Sequence, residues 1–382
     1  MRRTTILTVA VSLLVVISGC GYSANKATAT FAGNGSAYAQ KSDGFITGGG
    51  SETADQPGNN SITGSSIPVQ VHGVSHITSV ATGNGEQDGN LGNSAAYTLK
   101  SDGSVWAWGN NGCGQLGNNS TVNSSVPVQV SGLNGITAIA AGYAAGYAVK
   151  SNDTVWAWGK NESGQLGDNS VANSKVPVQV SGLSGVTAIA GGFGAAYALK
   201  SDGTVWAWGD NKYGQLGKDF GTGSRVPVQI SGLDHVTNIA TAGRTAYALE
   251  SDGAVWTWGE RPTNQTWYGT RNSHVPLRIP GLTGITAIAA GGSSGYALKY
   301  DGTVLAWGWG GEGELGSSSN NKKPPVQIQE LAGIKAIAAL SEGGYAFKQD
   351  GTVRYGHGEG SLAATWGTTR LTEVLSLCRF LN

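Results

Sequence analysis

Charge, sulfur and helical pattern are all scarce in this sequence. Charged residues make up 13% of its 382 positions, about half the usual quarter. The 24 basic side chains balance 24 acidic ones, so there is no electrostatic footprint for a nucleic-acid partner. Three cysteines do not make a disulfide scaffold. No stretch keeps a helical period of useful length. The 62 glycines exclude a coiled coil or helical bundle, because each glycine inside a helix costs ~1 kcal/mol against alanine. Glycine and proline together still fall short of the share typical of disordered chains. Twelve tryptophans and thirteen tyrosines supply enough bulk for a core.

Catalytic signatures are also missing. There is no HExxH, no pair of CxxC motifs and no EF-hand loop. No acidic pair stands out as a poised acid and base. Gly112 to Gly117 matches GxGxxG, as does Gly311 to Gly316. Neither opens a helix after a strand, which the dinucleotide mechanism requires. Gly291 to Gly295 matches GxSxG without the strand-to-helix setting of a nucleophile elbow. The histidines His72, His76, His235, His274 and His357 are scattered. The expectation is therefore a non-enzyme with no cofactor and no metal.

The first residues read as an address. Arg2 and Arg3 precede a twelve-residue apolar run, Ile6 to Ile17, too short to span a bilayer as a stable helix. Ile17, Ser18, Gly19 and Cys20 follow. A charged start, short apolar core and small-residue site mark a secretory signal. Ending on cysteine, the segment resembles a bacterial lipobox. That resemblance implies cleavage before Cys20, acylation of Cys20 and a lipid anchor on the extracytoplasmic side of the envelope. Residues 1–19 are then the signal and 20–26 a short linker. Loss of Arg2 and Arg3 leaves 22 basic against 24 acidic side chains, a net charge of −2. Export permits a disulfide, but Cys113 and Cys378 are expected at opposite faces of the fold and unpaired.

What remains is one repeat. SDGSVWAWG at 101–109 recurs as SNDTVWAWG at 151–159, SDGTVWAWG at 201–209 and SDGAVWTWG at 251–259, then more loosely at 301–308 and 350–358. A degenerate first copy at 27–44 aligns without gaps on 186–203. One tyrosine marks each unit: Tyr38, Tyr97, Tyr147, Tyr197, Tyr247, Tyr296 and Tyr345. A period near 50 residues signals a propeller, solenoid or array.

Each unit reads as four short strands: ITAIA (136–140), YALK (197–200), VWAWG and PVQV (127–130). Asp-Gly between the second and third strands predicts a type I′ hairpin. In VWAWG the tryptophans occupy one side of the strand and Val and Ala the other, so both sides are apolar and both pack against neighbours. The repeat tryptophans are expected in the core. Residues 27–382 thus form a single all-β domain, a seven-bladed propeller of four-stranded antiparallel blades. The last fourth strand is expected at 374–377.

The string ITAIAAG…YALKSDGTVWAWG, with GQLG at 114–117, 164–167 and 214–217 and GELG at 313–316, resembles the regulator of chromosome condensation repeat family. The resemblance implies a seven-bladed propeller over residues 27 to about 377. Eukaryotic members usually carry a histidine where Ser36, Ala95, Ala145, Ala195, Thr245, Ser294 and Gly343 stand here. Their exchange activity on a nuclear GTPase does not suit an exported protein. Bacterial relatives include a secreted inhibitor of β-lactamases.

In an up-and-down blade the first-to-second and third-to-fourth connectors emerge on one face. They carry nearly all the differences between copies: the segments 48–66 and 82–96, and Tyr143, Phe193, Tyr213, Arg244, Trp267, Tyr268, Trp309, Glu342 and Trp366. The opposite face repeats Ser-Asp-Gly and Ser-Gly-Leu. Variable loops on a rigid scaffold are where binding resides, and aromatics are favoured anchors. The leading expectation is a monomeric, lipid-anchored propeller that binds a protein partner through these residues. The alternatives are an inhibitor of an envelope or secreted enzyme, and a propeller enzyme acting on polysaccharide.

Overall fold

The computed structural model describes residues 27–33, 36–41, 44–50, 58–60, 65–83, 95–218, 221–260, 272–292, 294–308, 323–329, 331–340, 343–348, 352–356 and 367–370. They form seven four-stranded antiparallel sheets, with no helix among the described residues. The blades span 27–70, 77–129, 136–179, 186–229, 236–278, 285–327 and 334–370. Within each, strand order in the sheet follows the chain, so every fourth strand stays with its own unit. The first strands of successive blades lie side by side, and that of blade 7 lies beside that of blade 1. The ring closes by packing, with no strand exchanged between the end blades among the described residues.

Blade 4 shows how the sequence builds the unit. Its strands are Val186–Gly191, Ala195–Lys200, Val205–Gly209 and Ser224–Gln229. Tyr197 stands opposite Ala190 on one neighbour and Ala207 on the other, and the small partners leave room for its ring. The fourth strand starts three residues before PVQI (227–230) and bulges. Ala207 faces Val228, yet Gly209 faces Ser224. Pro227 sits in that irregular stretch of the outermost strand, where a missing N–H costs no ladder bond.

Packing between blades follows the alternation of VWAWG. In blade 2, Trp108 points back into a seam with Tyr38, Ile46 and Val80. Val105 and Ala107 point forward into a seam with Ile139 and Trp158. Six such seams form the core among the described residues. The two tryptophans of the motif separate, however. The second one is buried in five blades (Trp108, Trp158, Trp208, Trp258 and Trp307). The first one is only half-buried, and Lys100, Lys150 and Lys200 lie over the rings of Trp106, Trp156 and Trp206 at 5.8, 6.0 and 5.6 Å. The first tryptophan follows directly on the second-to-third turn, where its indole N–H donates to the turn hydroxyl of Ser104 in blade 2 and Thr204 in blade 4.

Three of the seams are each fastened by one backbone carbonyl. The Gln165 carbonyl accepts the Tyr147 hydroxyl of its own blade at 3.1 Å and the Trp208 indole N–H of the next at 2.8 Å. Gln115 does the same for Tyr97 and Trp158, and Gln215 for Tyr197 and Trp258. The rings also meet edge to face, 6.0 Å apart for Tyr197 and Trp258, a geometry worth ~1 kcal/mol beyond burial. Burial pushes the pKa of these tyrosine hydroxyls up, which keeps them donors. Among the described residues, the Trp307 indole N–H has no hydrogen-bond partner. The GQLG signature is absent from the preceding unit.

The hairpin between the second and third strands differs from the type I′ expectation. Lys100 N–H donates to Ser104, and Gly103 N–H donates to Lys100. Gly103 alone takes a positive φ, +77°, while Asp102 does not. This is a three-residue turn closed by a glycine bulge. Blade 3 puts Asp153 at that position with φ 62°. Asp102 accepts both the N–H and the hydroxyl of Ser104, which lowers its carboxyl from 3.8 to about 2. Blade 3 uses Asn152 for the same bonds. The last fourth strand is Gly367–Arg370, not 374–377. The signal and linker calls, with Cys20 and Cys378, lie outside the described residues.

Two predictions follow from this packing. Trp208→Phe should lower stability by about 2 kcal/mol through a lost hydrogen bond and a void. Trp307→Phe should cost ~1 kcal/mol less, as read by urea denaturation. Equal costs would remove the shared carbonyl from the account. The turn aspartates Asp102, Asp202 and Asp301 have lowered pKa values, so their contribution is present above the ordinary value and is lost as pH falls through the lowered one, about 2 for Asp102. The triple variant Asp102→Asn/Asp202→Asn/Asp301→Asn should fold and show a flatter decline of thermal midpoint between about pH 4 and 2.

Candidate functional site

The variable face is built from two kinds of connector held together by recurring bonds. In the third-to-fourth connector, a buried asparagine organises the loop. The Asn111 side-chain oxygen accepts the Leu116 N–H at 2.9 Å, and its amide donates to the Ser120 and Val122 carbonyls. Asn161 and Asn211 repeat the bond to Leu166 and Leu216. The Gln side chain of GQLG also points into its own loop: Gln215 accepts the Tyr213 N–H and donates to Asp210. Gly114 has φ +83°, and a Cβ there would lie 2.6 Å from the Lys175 Cα. Only glycine lets this loop touch the next blade. The contact is sealed by Asn119 N–H donating to the Lys175 carbonyl and Asn169 N–H to that of Arg225. The GxGxxG match at 112–117 is thus a blade latch.

The first-to-second turns step round the axis in the same way. Tyr143 N–H donates to Gly192 of the next turn, and Phe193 N–H to Gly243 of the one after. The residue following each Trp-Gly is tied to the adjacent turn: Lys160 N–H to Ala144, Asp210 N–H to Gly194 and Glu260 N–H to Arg244. Positions 160, 210 and 260 therefore project beside the turns, and their side chains differ.

Four of the sequence-predicted residues come together here. The Tyr143 and Phe193 rings lie 4.4 Å apart, tilted by 37°. The Arg244 guanidinium lies 4.6 Å from the Phe193 ring and 4.6 Å from the Tyr213 ring. Lys160 covers Tyr143 at 5.4 Å and Lys212 covers Tyr213 at 5.3 Å. The result is an unbroken arc across blades 3, 4 and 5 in which cations and rings alternate at both ends. Arg244 Nη1 donates to Glu260 at 3.1 Å, with side-chain exposures of 15% and 12%, and the buried Arg244 Nε has no partner among the described residues. The remaining predicted residues, Trp267, Tyr268, Trp309, Glu342 and Trp366, lie outside the described residues, as does Cys20.

Sequence reasoning missed Lys160, Asp210, Glu260 and the three buried asparagines. A signal for the first three existed. They are the one changing position beside a constant Trp-Gly. It also passed over Tyr300, 79% exposed on the opposite face where the first five units carry serine. His72, His76 and His235 are exposed. Among the described residues no group of three His, Cys, Asp or Glu is placed to hold a metal. Cys113 is half-buried, and burial pushes its thiol pKa up.

The model of the RCC1-like domain matches residues 87–368. The chain belongs to the RCC1-like domain family. Among solved structures, this RCC1-like chain is similar to human WBSCR16, with TM-score 0.69 and 22% identity over 82% of this chain and 84% of that one. It is similar to yeast RCC1 (Prp20), solved bound to Kap60, with TM-score 0.66 and 22% identity over 79% and 77% of the two chains. A second structure of Prp20p from Saccharomyces cerevisiae gives TM-score 0.64 and 24% identity over 77% and 75%. No curated protein matches the sequence. These likenesses concern the fold.

The arc makes its own prediction. Glu260→Ala strands the Arg244 charge in a half-buried site and should cost about 2 kcal/mol in urea denaturation. Arg244→Met/Glu260→Met should recover most of that loss. A double-mutant cycle with no coupling would show that the pair does not hold the arc.

Proposed function

We propose that this RCC1-like propeller is a non-enzymatic protein-binding scaffold that works through its variable face, held at a bacterial envelope by a lipid on Cys20. The observation that carries the binding reading is the Tyr143–Phe193–Arg244–Tyr213 arc. Rings and a guanidinium fixed by packing lose little freedom on association and make strong anchors. Backbone bonds between turns hold their register. The face opposite repeats one hairpin and offers far less individuality. Yeast RCC1 was solved bound to Kap60, and Prp20p was studied for binding to Gsp1p and histones. Both support protein binding as a use of this fold. The anchor reading is supported by the sequence from Arg2 to Cys20 alone.

The test uses detergent-solubilised full-length protein as bait in envelope extracts. Tyr143→Ala/Tyr213→Ala should lose the captured partner, while Tyr300→Ser on the other face should keep it. Unchanged capture by the double variant would remove the arc as the binding face. For the anchor, metabolic labelling with a lipid precursor should vanish in Cys20→Ala. Persistent labelling would exclude acylation at Cys20.

A further inference from the structure

The charges around the arc are unevenly used. Each described carboxylate of the variable face on blades 3 to 5 is engaged locally. Glu162 pairs with Lys160 at 3.1 Å and Glu260 with Arg244. Asp168 accepts from the Asn161 amide and the Ser170 hydroxyl. Asp210 accepts the Lys212 N–H and the Gln215 amide. Several cations have no such partner. Lys175, Lys212, Lys218 and Arg225 form no ion pair among the described residues. Lys175, Lys212 and Arg225 are exposed. Lys212 sits on the Tyr213 ring at the end of the arc. Lys175 and Arg225 stand where the connectors of blades 2 and 3 latch onto the following blade. The balanced charge of the chain therefore hides a set of unpaired cations at the end of the arc and at the latches of the same face.

We propose that the partner segment seated on this face is an acidic stretch of polypeptide that carries an aromatic side chain. This rests on the protein-binding reading above and names the chemistry of what is bound. The acidic groups would meet Lys212, Arg225 and Lys175, which spend no energy breaking internal ion pairs. The aromatic side chain would pack against the partly exposed Tyr143 or Tyr213, whose rings are already oriented by Phe193 and Arg244. Arg244 itself is held by Glu260 and serves to position the rings. Exposed lysine and arginine attraction is screened by salt, whereas ring stacking is not. Capture should then be strongly salt-sensitive with an apolar residue of affinity that survives.

The direct test measures fluorescence anisotropy of full-length protein with labelled peptides of alternating aspartate and tyrosine. Controls are a lysine-for-aspartate counterpart, a serine-for-tyrosine counterpart and phosphatidylglycerol vesicles. The aspartate–tyrosine peptide should bind, and both peptide counterparts should bind about tenfold more weakly or worse. Lys212→Glu/Arg225→Glu, confirmed folded by its thermal midpoint, should reduce binding of the acidic peptide by about tenfold. Equal binding of the lysine peptide, indifference to charge reversal, binding of vesicles alone or binding of no peptide would each overturn the proposal. The pull-down separates the two levels. A partner kept by Lys212→Glu/Arg225→Glu but lost from Tyr143→Ala/Tyr213→Ala preserves the scaffold reading and overturns the acidic segment. A partner kept by both variants overturns the scaffold reading at this face.

Discussion

A single backbone carbonyl fastens each of blades 2, 3 and 4 to the blade that follows it. In blades 2, 3 and 4 the glutamine of GQLG turns its carbonyl inward, where a tyrosine hydroxyl from the same blade and a tryptophan N–H from the next both reach it. A carbonyl has two lone pairs, so a single acceptor satisfies two buried donors. Without it, two of the largest side chains in each seam would bury unpaired polar groups at a cost of about 1–3 kcal/mol each. The carbonyl must therefore be held in place. The buried asparagine five residues before the leucine does that, and the glycines on either side let the loop approach the neighbouring blade. Connector, seam and inter-blade latch are consequently one construction.

That construction explains why function can vary without disturbing the fold. The side chains that hold the connector point inward, and the positions that differ between copies lie just beyond them. Residues 160, 210 and 260 are fixed by their N–H groups to the first-to-second turn of their own blade, so their side chains are free to be lysine, aspartate or glutamate. Residues 143, 193 and 244 lie on turns bonded to one another. The arc is thus assembled from three blades, with Tyr143 from blade 3, Phe193 and Tyr213 from blade 4 and Arg244 from blade 5. The arc is rigid because the scaffold beneath it is, and rigidity lowers the entropy lost on binding.

Much of this was legible in the residues themselves. The period near 50 and the tyrosine marking each unit defined seven blades. Alternation in VWAWG placed two side chains towards one neighbour and two towards the other, because a strand has a period of two. Up-and-down topology alone assigned Tyr143, Phe193, Tyr213 and Arg244 to one face. Other features were not legible. Asp-Gly suits both a type I′ turn and a glycine-bulged turn, and only the Lys100–Ser104 and Gly103–Lys100 bonds decide between them. Trp106 and Trp108 look equivalent in the string, yet differ in depth because Trp106 lies at the turn end of the strand beside Ser104 and Trp108 lies within the seam.

The sequence by itself determined the blade, its count and the two faces, since these depend on repetition and on local alternation. Only the tertiary structure decided that Arg244 lies between Phe193 and Tyr213, that Glu260 holds it there, and that the nearby carboxylates are spoken for while Lys212 and Arg225 are not. These residues come from separate blades, and their distances depend on how one blade is rotated against the next. That rotation is set by the tryptophan, tyrosine and carbonyl in the seam, acting across about fifty residues of chain, a range at which local propensity carries no information.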